Sequence, residues 1–320
     1  MRKATKIWLI IAISLVVLGL IMFSVVMTLN HWDFTKLSTV KYETNTHEIS
    51  EEFRNISLKT ETADILFAAS DDGMCRVSCY ETENEKHSVV VQDGTLTINV
   101  VNERKWYEYI GIAIGTPRIT VYLPETEYTS LFIKESTGDI EIPKDFKFEG
   151  IDISLSTGDV KSFASASEMI KIKTSTGDIG VENISTNILD LSVSTGKITA
   201  SNITCDGDIK INVSTGKINI TDIKCKNVIS SGSTGDIFLK NVIAAEKFSI
   251  KRSTGDVRFD GSDAAEVIVE TDTGDVTGSL LTDKIFITQS DTGRVDVPKT
   301  LTGGRCEINT DTGDIKIKID

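Results

Sequence analysis

The residues best placed to do chemistry stand beside a recurring Ser-Thr-Gly-Asp turn. One position after the turn glycine come Asp139, Asp159, Asp178, Lys197, Lys217, Asp236, Asp256, Asp275, Arg294 and Asp314. Two positions before it, the last three copies replace serine with Asp272, Asp291 and Asp311. Carboxylates at a fixed interval offer the oxygen donors that Ca²⁺ prefers. Asp272, Asp275, Asp291, Asp311 and Asp314 are therefore the candidate calcium ligands. The competing reading is a solvated ladder whose aspartates bond local turn amides. The glycine–aspartate nonapeptide of calcium-binding β-rolls is absent. Lys197, Lys217 and Arg294 also break the run and relieve a like-charge repulsion of about 1 kcal/mol per adjacent pair in water.

The other reactive side chains form no constellation in the sequence. Cys205 and Cys225 each stand nine residues after a turn glycine, in a column that also holds the small residues Thr186, Ala244, Ala264 and Thr302. On those small members they read as corner packing. Stacking would also bring them close enough for a disulfide, subject to its demanding geometry. Cys306 falls in an apolar column and is expected to be buried and inert. Cys75 and Cys79 point the same way on an extended strand, too far apart to bond each other. His31, His47 and His87 are scattered, no Cys/His set has zinc spacing, and no nucleophile–histidine pairing is evident. Neither catalytic residues nor a cofactor is expected. The densest aromatic cluster contains Trp106, Tyr107 and Tyr109. It offers either a plug for an open core or an exposed binding platform.

The elements that position these residues come from the repeat. The turn glycines are Gly138, Gly158, Gly177, Gly196, Gly216, Gly235, Gly255, Gly274, Gly293 and Gly313, always 19 or 20 residues apart. A fixed period in this range marks a repeat architecture. Two positions after the glycine every residue is Ile or Val, from Ile140 to Ile315. Seven and five positions before it stand further apolar columns, beginning Leu131 and Ile133, with mostly polar residues between them. Alternation with period two is a strand signal, and the Thr-Gly pair turns the chain into the next strand. The fold class that places all columns consistently is all-β, a parallel β-solenoid. Its coils stack about 4.8 Å apart, so ten make a rod on the order of 50 Å long. One coil cannot close its own core, and neighbours must cover it.

The chain has 320 residues and a net charge of −13. Arg2, Lys3 and Lys6 are the only charged residues among the first thirty, so the remainder is more acidic still. Such a surface disfavours nucleic acid and anionic headgroups. It suits cationic peptides or metal ions, or simply keeps the chain soluble. Residues 1–6 read as a basic cytoplasmic tail. Residues 7–29 read as a transmembrane helix, with the lipid bilayer contacted from Ile7 to Leu29. Basic residues before the span keep the N-terminus cytoplasmic and export the rest. A cleaved signal peptide is the rival reading, although the run is long for one and lacks a clear cleavage site. Residues 30–50 read as a polar tether, residues 51–130 as an irregular β cap, and residues 131–320 as the solenoid.

The apolar segment, the strand Ile119-Thr120-Val121-Tyr122-Leu123-Pro124 and the ladder of Ser-Thr-Gly-Asp-Ile copies together resemble the bacterial putative-adhesin family. That family is a domain of unknown function with β-strand repeats, and the resemblance covers roughly residues 40–320. It implies a β-solenoid at the bacterial cell envelope and no catalytic residues. Three functions follow as expectations. The first is a membrane-anchored, extracytoplasmic binding or structural module that meets an envelope protein or cell-surface ligand. The second is a sensor of envelope stress, cationic peptides or metal, working through a partner protein. The third is a polysaccharide-active enzyme, which needs converging carboxylates in a groove. Here the charges follow the repeat register instead.

Overall fold

The computed structural model describes residues 3–38, 40–102 and 115–320. An α-helix runs over Lys3–Leu29, and its Thr5–Leu29 segment, of mean hydropathy 3.0, is long and apolar enough to cross a membrane. Beyond it lies a single parallel β-solenoid of about ten turns.

The columns read from the sequence become ladders in register. Ile179 pairs with Ile198, Ile198 with Ile218, Ile218 with Ile237, and Ile237 with Val257. All five are buried. The columns starting at Leu131 and Ile133 stack in the same way, Leu189 on Ile209 and Leu191 on Ile211. Each fully buried branched side chain contributes roughly 1.5–3 kcal/mol, and the contribution exists only because a neighbouring coil covers it.

The turn itself does more than reverse the chain. Gly177 N donates to Thr195 O at 3.0 Å, and Ile179 N donates to Lys197 O at 2.9 Å. Gly196 has φ +149°, and a Cβ there would sit 2.0 Å from the Gly177 carbonyl oxygen. Glycine is thus required for backbone conformation and for the close approach of successive coils. A second corner lies six residues after the turn glycine. Asn183, Asn202, Asp222 and Asn241 have positive φ there, and Gly261 continues the column. Asn202 Nδ2 donates to Asn183 Oδ1 at 2.6 Å, and Asn241 Nδ2 to Asp222 Oδ1 at 2.8 Å. Asn and Asp tolerate the left-handed conformation and bond locally.

Stacking follows the order of the repeats until the last two. Val276 pairs with Ile315, and Ile315 pairs with Val295. The final coil in sequence therefore lies inside the one before it. Burial explains the exchange. Cys306, Ile308, Ile315 and Ile317 present an apolar inner face that is at most 3% exposed, whereas Val295 is 45% exposed on the outermost coil. The coil with Thr288 in an inner column is the one left at the end.

The N-terminal end shows a similar inversion. Ile56 pairs with both Leu131 and Leu96, and Ile65 with both Ile140 and Ile119. The strands Asn55–Lys59 and Asp64–Ala69 thus stack in parallel on the first repeat, and Thr95–Asn102 and Arg118–Leu123 stack in parallel outside them. Antiparallel strands then close the stack. Cys75–Thr82 lies on Arg118–Leu123, Tyr42–Ile49 lies on Cys75–Thr82, and Glu85–Gln92 lies on Thr95–Asn102. The expected tether over 30–50 is therefore only partly a tether. Phe34–Leu37 is a 3₁₀ turn and Tyr42–Ile49 is an edge strand. Its half-buried face is Asn45, His47 and Ile49, so the strand carries little apolar alternation to betray it.

Candidate functional site

The aspartate column is a hydrogen-bond ladder. Asp139 Oδ1 accepts from Asp159 N at 2.8 Å, Asp159 Oδ1 from Asp178 N at 2.7 Å, and Asp178 Oδ1 from Lys197 N at 2.7 Å. The same bond links Asp256 to Asp275, Asp275 to Asp314 and Asp314 to Arg294. Each carboxylate satisfies an amide of the next coil at the turn. Where lysine stands at 197 and 217 the ladder lapses, and Lys217 Nζ instead pairs with Asp236 Oδ2 at 3.1 Å. Of the five candidate calcium ligands, Asp275 and Asp314 each commit an oxygen to this ladder. Asp291 accepts from Gln289 Nε2 at 3.2 Å, and Asp272 and Asp311 are exposed beside the turns.

The five cysteines are buried free thiols. Cys205 Sγ donates to Asn187 O at 3.2 Å. Burial pushes the Cys75, Cys225 and Cys306 thiols up to about 12, which makes them poor nucleophiles. Trp106, Tyr107 and Tyr109 lie outside the described residues.

Two inward residues of the column three before the glycine are ionisable. Glu135 is 4% exposed and accepts from Ala63 N at 3.0 Å, and desolvation raises its carboxyl to about 8. Arg252 is 1% exposed and reaches past Gly232 to donate to Val213 O at 2.9 Å. Burial lowers its guanidinium to about 10. A Cβ at Gly232 would lie 1.8 Å from Arg252 Nη1, so the missing side chain makes room for the large one.

A groove of about 1070 Å³ opens at the N-terminal end of the solenoid, beside the edge strand. Glu48, Glu51, Glu52 and Glu127 line it with one cation, Arg54. Its apolar lining includes Phe53, Met74 and Tyr128. The rings of Phe53 and Tyr128 stack at 6.0 Å, and Tyr128 OH donates to Pro124 O at 3.0 Å. Tyr128 is only 3% exposed and supports Phe53 from below, so the acidic residues and the half-buried Phe53 ring present ion-pairing and cation–π groups together.

Beneath the cap hairpin is a buried polar chain that sequence reasoning missed. His87 Nδ1 lies 2.8 Å from Glu81 Oε2, and His87 Nε2 lies 3.0 Å from Thr60 Oγ1. His87 N donates to the same Glu81 oxygen at 2.7 Å, and Asn45 Nδ2 donates to Glu81 Oε1 at 2.8 Å. The expectation of no nucleophile–histidine pairing is thus corrected. A hydroxyl–imidazole–carboxylate chain is the pattern of nucleophilic hydrolases. Here Thr60, His87 and Glu81 are 7%, 6% and 1% exposed, leaving no room for a substrate at the hydroxyl. Cys79 completes a second grouping. Donor atoms of Cys79, Glu81 and His87 all lie within 4.8 Å of one another. Cys/His spacing in the sequence does not reveal it, because one donor is a carboxylate. The third comes across a hairpin closed by the Thr82–Glu85 pair.

These features define a class: a parallel β-solenoid with an apolar N-terminal helix, built from carboxylate and glycine ladders. Residues 53–213 and 204–320 match the Toastrack DUF4097 family, and the chain belongs to that family. The putative-adhesin resemblance in the repeat agrees with this membership. Among solved structures, the chain is similar to one described as a putative adhesin from Bacteroides fragilis NCTC 9343. Identity is 15% and the TM-score 0.44, with 87% of this chain and 97% of that chain covered. It is also similar to one described as a putative lipid binding protein from Parabacteroides distasonis ATCC 8503. There identity is 20% and the TM-score 0.48, with 75% of this chain and 95% of that chain covered. A third, described as a putative adhesin from Parabacteroides merdae ATCC 43184, has 14% identity and a TM-score of 0.37. It covers 88% of this chain and 98% of its own. No curated protein matches the chain.

Proposed function

We propose that this protein is a non-enzymatic binding module held on the outer face of the cell membrane. The Thr5–Leu29 helix crosses the bilayer once with Arg2, Lys3 and Lys6 inside, and the acidic solenoid stands outside. The observation that carries the reading is the groove lined by Glu48, Glu51, Glu52 and Glu127 over Phe53 and Tyr128. Its ligand is a cationic group of an envelope or cell-surface partner, which pairs with the carboxylates and packs on the half-buried Phe53 ring. Charges elsewhere follow the repeat register, as scaffold residues do.

Two measurements test this, one on intact cells and one on the purified protein. Protease added outside should remove the chain beyond about residue 35, and protection of that segment would sink the topology. The full-length protein in detergent should bind an oligolysine peptide saturably. Glu48→Lys with Glu127→Lys should abolish that binding without lowering the melting temperature. Undiminished binding by the double variant would contradict the groove as the site.

A further inference from the structure

We propose that Cys79, Glu81 and His87 form a binding site for one borderline-soft divalent ion of the Zn²⁺ class, pinning the two strands of the cap hairpin to each other. The three donors converge within 4.8 Å and all three residues are buried. Cys79 and Glu81 are two apart on the strand Cys75–Thr82 and share a face. His87 is delivered from the adjacent strand Glu85–Gln92. One sulfur, one nitrogen and one carboxylate oxygen suit zinc and its neighbours, whereas Ca²⁺ and Mg²⁺ call for oxygen alone.

The surrounding residues already do what outer partners of a metal site do. Thr60 Oγ1 engages His87 Nε2, which leaves Nδ1 as the ring atom turned toward Glu81. Asn45 holds the other Glu81 oxygen. Such partners fix the orientation of the ligands and the imidazole tautomer. Charge argues the same way. A thiolate, a carboxylate and a neutral imidazole sum to −2, so a divalent ion makes the buried site neutral. A buried site tolerates that far better than a net charge.

Binding is a displacement of protons with no redox change. The Cys79 thiol proton leaves to solvent as the sulfur–metal bond forms. Without the ion, Nδ1 lies 2.8 Å from Glu81 Oε2, which accepts the ring proton's hydrogen bond. On binding, that proton moves from Nδ1 to Nε2, where Thr60 Oγ1 accepts it, and the freed Nδ1 lone pair faces the ion. Affinity must therefore rise with pH.

The test uses the full-length protein in detergent with Co²⁺ as the optical probe. One equivalent should produce a sulfur-to-cobalt charge-transfer band with visible bands of tetrahedral intensity, and Zn²⁺ should erase both. Cys79→Ser should remove the charge-transfer band. Thr60→Val, which keeps all three ligands, should weaken Co²⁺ binding about 10–100-fold. Circular dichroism of each variant checks folding, and His87→Gln replaces Cys79→Ser if that variant does not fold. A folded wild-type protein with no charge-transfer band overturns the proposal. So does a Zn²⁺-induced melting shift of equal size in wild type and a folded ligand variant.

Discussion

Two adjacent residues, Lys197 and Ile198, separate the solenoid's inside from its outside. Ile198 is fully buried between Ile179 and Ile218. Ile198→Asp forfeits roughly 1.5–3 kcal/mol of apolar burial. It also puts a carboxyl among Ile and Val side chains, which adds several kcal/mol whether that group ionises or is held protonated. Lys197 is exposed at the turn. Lys197→Asp brings a carboxylate beside Asp178 at a cost of about 1 kcal/mol. It also supplies an acceptor to Lys217 N, in the pattern by which Asp178 accepts from Lys197 N at 2.7 Å. A net hydrogen bond offsets about 0.5–1.5 kcal/mol. The net change at 197 is therefore within about 1 kcal/mol. Thermal melting followed by circular dichroism reads both variants. Lys197→Asp should melt within about 4 °C of wild type, and Ile198→Asp should melt far lower or fail to fold. Equal damage from the two would refute the assignment of inside and outside.

Other outcomes follow from the same packing. Gly196→Ala should destabilise sharply and lower soluble yield, because its Cβ would meet the Gly177 carbonyl oxygen at 2.0 Å. The Glu135 carboxyl, raised from 4.5 to about 8 in the folded chain, binds more protons folded than unfolded across that interval. Its contribution is fully present below about pH 4.5 and is lost as pH rises toward 8, so Glu135→Gln should flatten the fall of melting temperature over that range. Lys284, 1% exposed, pairs with Asp263 at 2.7 Å. Lys284→Met should cost about 3–5 kcal/mol by leaving the aspartate unpaired, and adding Asp263→Leu should recover much of it in urea melts. Millimolar Ca²⁺ should leave the melting temperature unchanged if the Asp275 and Asp314 carboxylates serve the amide ladder, and a saturable upward shift would restore the calcium reading.

The repeat was legible because a solenoid writes each contact many times. A buried column such as Ile179, Ile198, Ile218 and Ile237 shows its period directly. The Asn183, Asn202, Asp222, Asn241 and Gly261 corner was equally periodic. Its residues are polar, so it leaves no mark in the apolar pattern from which the coils are legible. The order of the last two coils was not legible. Both carry the same motif, and they differ in their inner columns, Phe286 and Thr288 in one against Cys306 and Ile308 in the other. The cap was least legible of all. Its contacts occur once, between residues as distant as Asn45, Thr60, Glu81 and His87. The Glu81 carboxylate gives no sign in sequence that a hairpin will bury it beside a thiol.

Central to the account is that equivalent residues of successive coils lie in register along one axis. Pulsed electron resonance between spin labels on exposed turn positions measures this directly. Asp159 and Asp256 are exposed and lie five coil steps apart, while the native thiols are buried. Labels on Asp159→Cys and Asp256→Cys should give a distance near 24 Å, and moving the first label to Asp178→Cys should shorten it by about 4.8 Å. Distances that do not fall by one coil spacing per repeat would contradict the solenoid.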